Sequence, residues 1–151
     1  MLFFSKKKID WKKVFIASLI VVVIEMVVRQ IEVMLTIKYY MMPEYFGLWS
    51  KLMMPKAGPP PQEFFVLSVL FSFLGGLILA CVYECIKNSL DKKFLARVLG
   101  FTKLMVLLTL AFGYFPMLLM INIPQALMIA WFVSGSIILL LDAVVFVKVL
   151  K

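Results

Sequence analysis

VFIASLIVVVIEMVVRQIEVMLT, residues 14–36, is long and apolar enough to cross a bilayer, yet it carries Glu25, Arg29 and Glu32. Read at helical spacing, Ser18, Val22, Glu25, Arg29, Glu32 and Thr36 recur three and four residues apart and share one stripe. A lone charge at the centre of a membrane helix costs at least about 2.5 kcal/mol, so such residues turn toward protein or a wet cavity and find partners there. The stretch therefore predicts a membrane helix with one polar face, and the rest of the chain has to supply what that face meets.

The composition agrees with lipid as the solvent. The chain has 151 residues, 64% of them hydrophobic, with a mean hydropathy of +1.06. A soluble domain is nearer half apolar, and a chain this short has too little interior to hide the excess. The net charge of +8 would suggest nucleic acid in a soluble chain. Here the lysines cluster at the ends of apolar runs, which is the pattern of membrane-surface anchoring and topology control, and no nucleic-acid partner is expected. The chain has no histidine, which removes Ser-His and Cys-His nucleophilic catalysis, bis-histidine haem ligation and most zinc sites. Cys81 and Cys85, four apart in an apolar run, read as packing residues rather than a disulfide or metal pair. No phosphate loop, metal cluster or cofactor motif is recognised.

Outward from residues 14–36, the chain reads as a single domain, 1–151, of four apolar spans. Before the first span, Lys6, Lys7, Lys8, Lys12 and Lys13 have the look of a secretory signal. No small-residue cleavage motif follows the apolar core, so the segment reads as an uncleaved signal anchor. Residues 38–62 are aromatic and proline-rich: Tyr39, Tyr40, Tyr45, Phe46 and Trp49 suit a membrane–water interface, residues 44–54 suit a short surface helix, and Pro59, Pro60 and Pro61 suit a stiff lead into the next span. The second span covers 63–86, where Ser68, Ser72, Gly76 and Ala80 form a small-residue stripe for close helix contact. A basic connection at 87–97 precedes a charge-free stretch at 104–141, too long for one span. Asn122 and Pro124 supply turn chemistry at its middle, dividing it into spans over 94–121 and 124–149, and Pro116 predicts a kink in the third.

The expected fold is thus all-α, a polytopic membrane protein of four helices with both termini in the cytoplasm, in the cell membrane of a prokaryote, because the basic segments flank the same side of the predicted spans, with Lys38, Lys51 and Lys56 of the outer connection a mild exception. With that topology Glu25 lies near mid-bilayer, with Arg29 roughly 6 Å and Glu32 roughly 10 Å further outward. Two readings of these three residues stand together: a ligand or proton site centred on Glu25, or a structural cluster that neutralises itself within the helix or against another subunit. At the inner side, Lys103 and Asp142 come to similar depth in an antiparallel hairpin and predict an ion pair, with Glu84 nearby. Ser134, Gly135 and Ser136 read as a packing face.

The order of an apolar first helix, an aromatic turn, Trp49 and Met53 in a Trp-x-x-x-Met pattern, and three further spans resembles small four-helix prokaryotic membrane proteins of uncharacterised function. That resemblance implies a fold and no activity. Small multidrug resistance transporters also have four helices and a proton-exchanging carboxylate in the first, at a position Glu25 would match. Arg29 beside it would repel their cationic substrates, and the 38–62 connection is too long, so that comparison does not hold.

The sequence predicts a non-enzymatic protein, without cofactor, that works in the lipid bilayer through helix–helix association with itself or another membrane protein. The alternative is a small transporter or permeation module with a titratable carboxylate at Glu25 and Arg29 selecting an anionic or neutral ligand. An intramembrane enzyme has little support: Glu25 and Glu32 stand about 10 Å apart along the helix, too far to share a proton.

Overall fold

The computed structural model describes residues 9–40, 42, 62–121 and 123–151. The arm before Ile9, Asn122, and nearly all of the aromatic and proline-rich connection, with its expected surface helix and Trp49 motif, lie outside the described residues. Four helical stretches are long and apolar enough to cross a membrane, and no strand occurs among the described residues. They are α1 (Trp11–Tyr40), α2 (Gln62–Ile86) with a 3-10 turn (Lys87–Ser89), a composite third stretch, and α5 (Gln125–Val149).

α1 starts three residues ahead of the apolar run because Asp10 caps it. Its Oδ1 accepts the Lys13 backbone N–H at 3.3 Å and its carbonyl accepts that of Val14 at 3.0 Å. The helix then runs past Thr36 to Tyr40. The third stretch is not one continuous α-helix. α3 (Phe94–Thr109) passes into a π-turn (Leu110–Tyr114), and α4 (Phe115–Met120) follows. Pro116 has no N–H to return to Phe112, so the ladder rearranges one turn earlier, and the Phe115 N–H reaches back five residues to the Leu110 carbonyl. The expected kink is accommodated as a widened turn. Pro124 precedes α5, and its carbonyl receives the N–H groups of Leu127 and Met128.

α1 lies between α2 and α5, and α3 packs against α5. The apolar core gathers at the end where α1 begins and α5 finishes, called here the terminal end. Val14, Ala17 and Val21 of α1 meet Ala80 and Tyr83 of α2, Phe101 and Met105 of α3, and Ala143 and Phe146 of α5. Its centre is a ring cluster, with Tyr83 edge-on to Phe101 at 5.3 Å and Phe146 within 6.1 Å of both. The α2 stripe faces inward here. Ser72, Gly76 and Ala80 are buried, Ser68 is half-buried, and a Cβ placed on Gly76 would stand 3.3 Å from Val21 Cγ1 and 3.4 Å from Ser18 Cα. The small residues thus bring α2 against α1 of the same chain. Cys81 is half-buried against this core and Cys85 is exposed; neither is in a disulfide.

Toward the opposite end the bundle opens. The first half of α2 exposes Phe65, Val66 and Phe71, and the third stretch exposes Phe112 (80%) and Leu119 (90%). Such surface is unstable in water and ordinary in hydrocarbon.

Candidate functional site: the polar seam between α1 and α5

The buried residues of α1 are Val14, Ala17, Ser18, Val21, Glu32 and Thr36, with Glu25 and Arg29 half-buried between them. This is the stripe that the spacing predicts, rotated slightly so that Val21 rather than Val22 leads at the terminal end. Arg29 defines what it faces: Nη1 donates to Ser134 Oγ on α5 at 2.9 Å, and Nη2 lies 3.8 Å from where a Cβ on Gly135 would stand. The charged face of α1 is therefore laid against α5 of its own chain.

From the open end inward, the seam begins with Tyr40, whose hydroxyl accepts the Trp131 indole N–H at 2.7 Å, the two rings 6.5 Å apart. One turn in, the Thr36 hydroxyl lies 2.8 Å from both the carbonyl and Oε1 of Glu32, and the carboxylate is buried beneath it. Next comes the Arg29–Ser134 bond, with Ser134 donating in turn to the Trp131 carbonyl at 3.1 Å. Glu25 follows about 6 Å beyond Arg29, and makes no hydrogen bond or ion pair among the described residues. At the terminal end Ser18 is fully buried and donates to the Val14 carbonyl at 2.9 Å.

Asp142 lies in the same half of the bundle on α5, 1% exposed, with Oδ1 lacking any hydrogen-bond partner among the described residues. Measured from Ser134 it is about 12 Å along the axis, which places it about 6 Å beyond the level of Glu25. Of the seam's ionisable residues, Glu25 is the next one along the axis from it, toward Arg29.

Several expected pairings are not made. Glu25 and Glu32 do not pair with Arg29 along the helix, because the guanidinium reaches across to Ser134 instead. The Lys103–Asp142 bond is also absent. Phe101 and Phe146 are in contact, so Lys103 and Asp142 do come to similar depth, but Lys103 lies 200° around α3 from Phe101 at about 100° per residue and is exposed. Glu84 is engaged elsewhere: Lys87 Nζ donates to its Oε1 and to the Leu150 carbonyl, both at 2.7 Å, tying the end of α2 to the end of α5. Among the described residues the ion pairs are this one and Lys13–Asp10.

Three contributors were not singled out from sequence for the parts they play. Ser134, in a segment whose small residues suggest packing, receives Arg29. Trp131 carries no pattern of its own in an apolar run. Asp142 matches Lys103 in depth but not in direction. A count of inward-facing positions on 134, 138 and 142, spaced four apart, would have placed Ser134 and Asp142 on one face of α5.

No group of three or more His, Cys, Asp or Glu suited to a metal occurs among the described residues. No protein-family model matches the chain, and comparisons with curated proteins and with solved structures find no match.

Proposed function

We propose that this chain is a small multi-pass membrane protein that acts as a transporter or permeation module, with the α1–α5 seam as its path and Glu25 as its titratable centre. The observation that carries the reading is the Arg29–Ser134 bond. It turns the charged face of α1 inward on its own bundle, so Glu25, Arg29 and Glu32 form an internal polar line instead of a docking face for another subunit. Polar groups continue along that line from Tyr40 and Trp131 to Ser18 and Asp142. Ionisable residues kept inside a membrane bundle most often mark ion and substrate paths. Orientation follows from charge: Lys12 and Lys13, Lys92 and Lys93, and Lys148 and Lys151 all belong to the terminal end, which supports cytoplasmic termini.

The test is flux in proteoliposomes under an imposed pH gradient, read with an entrapped pH-sensitive dye. The reading expects a protein-dependent flux that Glu25→Gln abolishes. Equal flux from the variant would remove it.

Association with a second membrane protein remains the other reading, now through a different surface. The outer half of the third stretch presents Phe112, Leu119 and Met120 with little of its own chain against them. A partner helix there would leave the seam intact.

A further inference from the structure

We infer that Glu25 and Asp142 together form a binding site for a monovalent cation, proton or sodium, in the terminal half of the seam. The inference deepens the transport reading by naming the ligand class.

The first ground is charge. Along the seam stand three carboxyl groups, Glu25, Glu32 and Asp142, and one guanidinium, Arg29. Glu32 has the Thr36 hydroxyl upon it and Arg29 one turn away, whereas Glu25 and Asp142 have no basic partner among the described residues. Two uncompensated carboxylates in a low-dielectric interior repel one another and lose their hydration, and binding a monocation relieves both effects.

The second ground is the orphan oxygen. Asp142 is 99% buried by its 1% exposure, and its Oδ1 accepts nothing from the described residues. A buried carboxylate oxygen without a donor is rare in a stable interior and calls for an occupant.

The surroundings leave no competing cation. On α1, Arg29, expected from the sequence to repel cations at Glu25, stands on the far side of Glu25 from Asp142 with its fork turned to Ser134, so the cation site lies away from it. On α2, Cys81 and Tyr83 carry no positive charge, and Glu84 is held by Lys87. On α3, Lys103 is exposed, and Arg97 donates from Nε to the Asp91 carbonyl at 2.7 Å. On α5 itself Lys148 is exposed, nearly two turns further on. Calcium and magnesium are a poor fit, since each takes six or more oxygens and these two carboxyl groups supply at most four.

The experiment uses the full chain in lipid nanodiscs, without any flux assay. In sodium-free buffer at neutral pH, infrared spectroscopy looks for the carbonyl stretch of a protonated carboxyl group. In parallel, thermal unfolding is followed as NaCl replaces KCl at constant ionic strength. A protonated-carboxyl band that is lost in Asp142→Asn identifies the proton. A sodium-specific rise in Tm that is lost in Asp142→Asn identifies sodium. Should Asp142→Asn not fold, the half-buried Glu25→Gln serves as the variant in both arms. Neither a band nor a sodium-specific shift in the wild-type protein overturns the inference, as does either signal surviving unchanged in both variants. Binding without flux in vesicles would remove only the transport reading, and flux without binding would remove only this inference.

Discussion

Gly76 and Gly75 are adjacent on α2 and make opposite predictions for the same substitution. A Cβ at Gly76 would lie 3.3 Å from Val21 Cγ1 and 3.4 Å from Ser18 Cα, already inside ordinary carbon–carbon contact, whereas a Cβ at Gly75 meets nothing within 4 Å. Leucine adds three more carbons beyond that Cβ. At position 76 they have no space unless α1 and α2 separate, by roughly 1 Å or more on the scale of interaxial distances. Overpacking of this kind costs about 1–3 kcal/mol, while removing a helical glycine returns up to about 1 kcal/mol at either position. Gly76→Leu is therefore expected to destabilise the fold by about 1–2 kcal/mol, and Gly75→Leu to be neutral or slightly stabilising. The assay is unfolding in mixed micelles with increasing denaturing detergent, followed by circular dichroism. Because the intrinsic helix term cancels between the variants, their difference reads the α1–α2 contact. If the two fall within about 0.5 kcal/mol of each other, the close approach of α2 to α1 is wrong.

Two other expectations use the same assay, and a third is read by amide exchange. Arg29→Leu removes the one guanidinium of the seam and its bond to Ser134, and should destabilise by roughly 1–3 kcal/mol without changing the oligomeric state in a mild detergent; a change in assembly with unaltered stability would point back to a subunit contact. Trp131→Phe keeps an aromatic side chain but withdraws the donor to Tyr40, and should cost at least about 0.5–1.5 kcal/mol; an unchanged unfolding midpoint would count against that bond. Lys87→Met frees Glu84 and the Leu150 carbonyl, and should raise amide exchange at the C-terminal turn of α5 while leaving exchange at Trp131 unchanged.

The architecture was legible because its cause is carried by long runs. Four apolar stretches and the turn at Pro124 leave few alternatives to four helices, and the stripe from Ser18 to Thr36 follows from helical periodicity alone. Helix edges were less so. Asp10 moves the start of α1 three residues forward by capping, a local effect hidden behind the lysines that follow it. The candidate site was half legible. Periodicity identifies which face of α1 is polar but not which neighbour covers it; the Arg29–Ser134 bond distinguishes α5 from another subunit. Depth was the wrong criterion for Lys103 and Asp142: two residues at one level pair only if their azimuths agree, and Phe101, not Lys103, is the residue of α3 that looks at α5. Trp131 could not be distinguished from its apolar neighbours, because its part depends on one hydrogen bond to a helix distant in sequence.

The central claim is that the charged face of α1 is closed by α5 of the same chain. Cross-linking tests it directly: Arg29→Cys and Ser134→Cys are combined in a chain whose Cys81 and Cys85 are replaced by alanine, and a short thiol-to-thiol reagent is applied in native membranes. The expected result is a cross-linked monomer of altered mobility on a denaturing gel, and no cross-link when the two cysteines are placed on separate co-expressed chains. A covalent dimer from the separate chains, with no internal link in the double variant, would contradict it.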